Sequence, residues 1–326
     1  MRQKQNPILV GVIAGLAAAI LMAVSGAVPF ISLILLTAAL AAIFIAGLGY
    51  GLLSGLVAIA TASLANAVLY SAPQSFFFTA IPLLPAAVMS YLANMARPAS
   101  EIGGPDSALA WFPLSDVLLA GAIVTALATF ATLVMHPSME LVYEAVADAT
   151  ARMMQEINPD MPLDPGMRDQ TLAVLKLIWP MVQSAQMLIA LFAGFYFGMR
   201  ILAAGGNNIR PREDIPTSLR MNRLSILALA AGILMMLTGN AVLALIGSSL
   251  TGAVAGGFLL AGFAVIHNLV RGKSWALPGL ILIYLLTLFF LPVIGFLLII
   301  AGGLANPRRA IALTPQKTDE TNSIEP

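Results

Sequence analysis

Cysteine is absent from all 326 residues. That excludes disulfide staples, thiolate nucleophiles and every metal site that depends on sulfur ligands. Charge is scarce as well. Lys, Arg, Asp and Glu make up 10% of the chain and leave a net charge of +1, with two histidines beside them. Soluble domains carry about 25% charged residues, and nucleic-acid-binding domains gather positive charge on one face, so the composition argues against both. No carboxylate lies near the middle of an apolar stretch. A proton relay or sodium-coupled pump would lack the ionisable groups it works with. GxSxG, HExxH and paired acidic metal motifs are missing too. His136, Ser138 and Glu140 are close in sequence, but a catalytic triad is recognised by geometry, not adjacency. No enzyme activity, bound cofactor or metal site is expected.

What the chain has instead is apolar surface: 60% of its residues are hydrophobic. Apolar segments recur at 8–28, 31–50, 51–70, 76–95, 114–135, 175–202, 224–246, 251–270 and 277–303. The first eight are each long enough to cross a hydrocarbon layer of about 30 Å as helices, which satisfy their own backbone groups in lipid. The ninth has Pro292 in its middle and reads either as one kinked helix or as a shallow helical hairpin. The expected fold class is all-α, a polytopic transmembrane bundle of about eight spans plus one ambiguous C-terminal segment, partnered by the lipid bilayer. The opening MRQKQNP precedes an apolar run longer than the roughly 7–15 residues of a signal peptide, so 8–28 reads as an uncleaved first span.

With the N-terminus inside, Arg2, Lys4, Arg97, Arg200, Arg210, Arg212, Arg220, Arg223, Arg271 and Lys273 fall on the inner side; Arg152, Arg168 and Lys176 fall outside. Lys and Arg favour the cytoplasmic side, so a cytoplasmic N-terminus is expected. The chain divides into a six-helix part at 1–206, further C-terminal helices at 207–309 and a polar, disordered tail at 310–326.

One long external connection opens with SMELVYEAVADATARMMQEI at 138–157. Glu140, Glu144, Asp148, Arg152 and Glu156 recur every four residues and form one helical stripe, while Met139, Val142, Tyr143, Val146, Met153 and Ile157 fall opposite. This amphipathic helix either lies at the membrane interface, capping the bundle, or serves as a lid or docking helix. Its acidic face does not suit anionic lipid. The following NPDMPLDPG reads as a loop.

Residues 46–55 read AGLGYGLLSG. A nucleotide loop needs a preceding strand and a helix N-terminus facing phosphate, and here both flanks are apolar spans. Gly47, Gly51 and Gly55 repeat every four residues, a spacing that lets helices approach closely in lipid. Gly49 and Tyr50 sit where one span must end and the next begin, and a turn is expected there. The same spacing recurs at Gly11 and Gly15, Gly194 and Gly198, and Gly252 and Gly256.

Uncharged polar residues within spans are the best recognition candidates. Asn66, Gln183, Gln186 and Asn240 are amides in otherwise apolar sequence, and Pro180 just before the glutamines removes a backbone donor. They either bond between helices or line a solute pocket. His267, in VIHNLVRGK, reads as an interfacial histidine bonded to its neighbours, with a ligand or gating role as the alternative.

Several stretches taken in order resemble one family. They are FIAGLGYGLLSGLVA, LAWFPLSDVLLAGA, IWPMVQSAQMLIALFAGFYFGMRIL, the loop RPREDIPTSLR, and GFAVIHNLVRGKSW before the last apolar segment. The chain resembles the YybS-like family of bacterial multi-pass membrane proteins, whose function is not established. The resemblance implies a bacterial inner-membrane location. The family's first six spans are similar to the substrate-capturing membrane subunits of energy-coupling-factor vitamin transporters. The resemblance supplies no binding residue. The expected function is capture or transport of a small uncharged or weakly polar solute, and the polar character of the four amides places it near them. The alternative is a non-transporting scaffold that organises envelope proteins, meeting a membrane-protein partner through glycine-lined faces and the loop 205–223.

Overall fold

The computed structural model describes residues 6–28, 31–136, 139–157, 165–207, 209–305 and 311–315. The loop at 158–164, Ser138, the basic residues Arg2, Lys4, Arg308, Arg309 and Lys317, and tail positions 316–326 lie outside the described residues.

The helices are α1 Pro7–Ala27, α2 Ser32–Tyr50, α3 Leu52–Leu69, α4 Ser75–Ala93, α5 Leu114–Met135 and α6 Met139–Ile157, followed by α7 Pro165–Ala204, α8 Ile215–Ser218, α9 Leu224–Met236, α10 Ala241–Val270, α11 Ala276–Phe289 and α12 Leu291–Leu304. Seven of them, α1 to α5, α7 and α10, are long and apolar enough to cross a membrane; α9, α11 and α12 are shorter apolar helices. The fold is an all-α polytopic bundle. Exposed Ile20, Leu64, Leu127 and Phe197 form its outer surface, the arrangement expected where lipid replaces water as the solvent of the outer face.

One buried cluster runs through the bundle, from Ala18 of α1 and Leu40 and Phe44 of α2 to Leu188 and Leu191 of α7 and Val254 and Phe258 of α10. The C-terminal α10 therefore shares the core of the first six spans. Glycine sets the closest approaches. On α1, a methyl at Gly11 would come within 2.6 Å of the Ser54 carbonyl oxygen of α3, and on α10 one at Gly256 within 3.1 Å of the Ala185 backbone of α7. Serines lock the α7–α10 contact, because Ser184 donates to the Ser249 carbonyl and Ser248 to the Leu177 carbonyl, both at 2.7 Å.

The break between α2 and α3 falls at Gly51, one residue beyond the expected Gly49–Tyr50 turn. Gly51 has φ +92° and ψ 173°, a region essentially reserved for glycine. Gly49 stays inside α2, facing Leu202 of α7. Asn94 donates to the Gly47 and Leu48 carbonyls at 3.2 Å each; Leu48 is an acceptor that the helix end leaves open, while Gly47 also accepts from the Gly51 amide.

The C-terminal segments are cut differently from the sequence expectation. Instead of one span at 224–246, α9 stops at Met236, and Gly239, at φ +73°, turns the chain into α10, which runs for 30 residues. The ninth segment breaks at Phe290, with Pro292 in the first turn of α12. At about 1.5 Å per residue, α9 and α12 are near 20 Å long, too short to cross alone. They share one face of α10 end to end. Gly232 of α9 meets Gly247 and Thr251, and Leu298 and Gly302 of α12 meet Gly262 and Phe258. Positions 247, 251, 258 and 262 recur on a single helical stripe.

At the end of the bundle away from α6, β1 Ala96–Pro98, β2 Ala108–Trp111 and β3 Leu313–Pro315 form a small antiparallel sheet in that order. Leu313–Pro315 was expected in a disordered tail. It pairs instead with β2, Leu109 opposite Thr314, and the Trp111 indole donates to the Thr314 hydroxyl at 2.9 Å.

Candidate functional site

A cavity of about 330 Å³ opens in the half of the bundle nearer α6. Ser25 and Ser32 line it from the α1–α2 end, Pro82 from α4, Thr129 and Thr132 from α5, and Gln183 and Gln186 from α7. Among the described residues, no ionisable one lines it. A volume of this order is at the lower end of small-molecule sites.

Gln183 is the chemically open group. Its Oε1 is buried without a hydrogen-bond partner, and an unmade bond on a buried acceptor costs about 1–3 kcal/mol. Several neighbouring hydroxyls are already engaged: Ser25 donates to the Ser32 carbonyl at 3.0 Å, and Thr132 to the Ala128 carbonyl at 2.8 Å. Pro82 cannot donate to the carbonyl four residues earlier, that of Phe78, and Pro180 cannot donate to that of Lys176.

The four candidate amides separate into three environments. Gln183 and Gln186 share the cavity. Asn66, on α3, is buried and donates to the Thr79 hydroxyl of α4 at 3.2 Å, with its Oδ1 unpartnered. Asn240 lies at a helix start rather than inside a span. Its side chain caps α10, accepting from the Val242 and Leu243 amides at 3.0 and 3.1 Å. An N-cap asparagine of this kind is worth about 1 kcal/mol. The interruption Thr-Gly-Asn was the available signal. Gly47 and Gly55 face each other across α2 and α3, Gly47 also packs on Ser90, and Gly51 is the turn.

The histidines lie apart from the cavity lining. His136 stacks on Phe78 with ring centroids 4.4 Å apart. His267 lies 2.8 Å from the Phe263 carbonyl through Nδ1, which must therefore carry the proton.

A second cavity, of about 470 Å³, lies under α6. Leu133 of α5 and His136 just beyond it, Met139, Glu140 and Tyr143 of α6, Ala173, Lys176 and Leu177 of α7, and the first turns of α10 enclose it. Lys176 pairs with Glu140 at 2.5 Å and Arg168 with Asp148 at 2.6 Å, all four side chains being roughly half exposed. Burial first, and the Glu140 carboxylate second, push the Tyr143 hydroxyl above its usual pKa.

Arg210 is the residue that sequence inspection undervalued. Its guanidinium is almost fully buried and donates to the Ala93 and Phe112 carbonyls at 3.0 and 2.7 Å and to Glu213. The sequence signal was the RPRE loop, which reads as ordinary positive-inside charge.

Seven helices long and apolar enough to cross a membrane define a multi-pass helical membrane protein. The family described as "Predicted membrane protein (DUF2232)" matches residues 16–304, and the chain belongs to it. This agrees with the YybS-like resemblance. No curated protein and no solved structure matches the chain.

Proposed function

We propose that the protein captures or transports a small uncharged solute in the cavity lined by Gln183 and Gln186. The observation that carries the reading is the buried, unpartnered Gln183 Oε1 in a cavity without ionisable residues. A neutral ligand with a hydrogen-bond donor would satisfy that acceptor, whereas a charged one would meet no countercharge. The reading is of a binding protein and not an enzyme. Its setting is the bacterial inner membrane with a cytoplasmic N-terminus, supported by basic residues gathered toward the sheet end.

Native mass spectrometry of protein purified in mild detergent tests this. A co-purifying small molecule that disappears in Gln183→Leu is the expected result. Ligand-free protein that a panel of neutral, vitamin-sized solutes also fails to stabilise against heat would overturn it.

The scaffold reading draws on Asn66 and Asn240, whose amides serve helix pairing and capping. It requires a stable membrane-protein partner in mild-detergent pull-downs, and recovery of none counts against it.

A further inference from the structure

The two cavities lie in line. On α7, Ala173 and Lys176 border the cavity under α6, Gln183 and Met187 border the deeper one, and Pro180 is buried between them. Positions 173, 176, 180, 183 and 187 form one stripe, with steps of three or four residues. On α5, Thr129 and Thr132 face the deep cavity, and Leu133, one turn on from Thr129, faces the other, with His136 just past the helix end. Two helices therefore present the same faces to both spaces, and a proline marks the partition.

That proline changes the chemistry of the partition. Without an N–H at position 180, the Lys176 carbonyl loses its helical donor. The next acceptor along the stripe is Gln183 Oε1. Pro82, in the wall of the deep cavity, similarly deprives the Phe78 carbonyl. Along this line the open side-chain atom is an acceptor, Gln183 Oε1, and each proline withdraws one helical donor from a carbonyl. These acceptors suit a neutral solute rich in N–H or O–H donors over one that offers only acceptors.

The roof is a lightly buried helix. Of α6, only Tyr143 and Ala147 are buried. Its ties to α7 are the Glu140–Lys176 and Asp148–Arg168 pairs and an edge contact between Tyr143 and Trp179. Half-exposed ion pairs contribute little and are weakened by salt. Elements that open are drawn from such low-stability segments.

We propose that the space under α6 is the entrance chamber of the Gln183 site, admitting neutral, donor-rich solutes, and that α6 is its lid, latched by Lys176 and Glu140. The proposal rests on the capture reading of the Gln183 pocket. Its test uses no solute, so the two can fail separately.

Because the chain lacks cysteine, Gln183→Cys supplies a single thiol at the deep cavity. The variant is placed in lipid nanodiscs and labelled with a membrane-impermeant maleimide. Adding Lys176→Glu sets two carboxylates against each other and is expected to speed labelling by up to about fivefold, the upper end for one exposed ion pair. Adding Glu140→Lys as well restores opposite charges and returns the rate to that of Gln183→Cys alone. Raising salt from 0.1 to 1 M speeds labelling of Gln183→Cys alone, as the Debye length falls from about 10 to about 3 Å. A rate unchanged by Lys176→Glu and by salt would overturn the lid. A charge-swapped variant labelled as fast as the single reversal would do the same. If labelling responds as expected but native mass spectrometry finds no ligand and no solute of the neutral panel stabilises the protein, the capture reading fails and the lid stands.

Discussion

The guanidinium of Arg210 donates to the main-chain carbonyl of Ala93, at 3.0 Å, across 117 positions of sequence. It ties the loop after α7 to the end of α4, its bond to Phe112 fastens the segment leading into α5, and its pair with Glu213 stays within its own loop. One side chain thus joins three connections at the sheet end of the bundle.

Arg210→Met is expected to lower stability by about 3–5 kcal/mol, since it strands a buried Glu213 carboxylate and two carbonyls. Adding Glu213→Leu should recover part of the loss by removing the orphaned charge. The carbonyls of Ala93 and Phe112 would still lack their donor. Thermal unfolding in detergent measures both steps.

Gln183→Leu should behave in the opposite way. Replacing a buried amide whose acceptor makes no bond with an apolar side chain of similar size is expected to leave the ligand-free protein as stable or more stable, by up to about 1–3 kcal/mol. Ligand capture is lost in the same variant. A clear loss of ligand-free stability would mean that Oε1 already has a partner.

At Gly252 even a methyl group has no room, because its Cβ would overlap the Met181 carbonyl of α7. Gly252→Ala is expected to push α10 from α7 and cost about 1–3 kcal/mol. At Gly51 a Cβ meets nothing within 4 Å, so Gly51→Ala acts through backbone strain alone, of similar size. A cross-link between positions near 184 and 249 should weaken in the first variant and survive in the second.

The hydroxyl of Tyr143 gives α6 a predictable pH dependence. Its folded pKa is raised above 10.0, by burial and then by Glu140. A group shifted upward contributes stability that is complete below its unfolded pKa and is lost as pH rises through the folded value. Docking of α6 should therefore be insensitive to this group up to pH 10.0 and loosen above it. Trp179, whose ring lies 6.3 Å from Tyr143, reports the change by fluorescence. Tyr143→Phe should remove the part of the alkaline step that this hydroxyl carries.

Much of the architecture was legible because lipid imposes a length and a composition on every span. The amphipathic pattern of 138–157 gave α6 as well, since its apolar and acidic faces separate at helical period. The break at Phe290 was foreshadowed by Pro292. The stop at Met236 was not, because its signal is only Thr238, Gly239 and Asn240 within a run still apolar on both sides. The site divided similarly. All four amides stood out as polar residues among apolar ones, yet only tertiary contacts could separate Gln183, facing a cavity, from Asn66, bonded to Thr79, and Asn240, capping a helix.

Composition alone determined that this chain is a multi-pass helical membrane protein, because backbone groups in lipid must be satisfied within each segment. The four-residue glycine spacing indicated that its helices would pack closely. Which faces meet was decided only by the tertiary structure, since these helices are apolar nearly all round and carry no periodicity to orient them. The same is true of the two cavities in line along α7, the pairing of α9 and α12 on one face of α10, and the reach of Arg210 to Ala93. Each depends on the mutual placement of residues far apart in sequence.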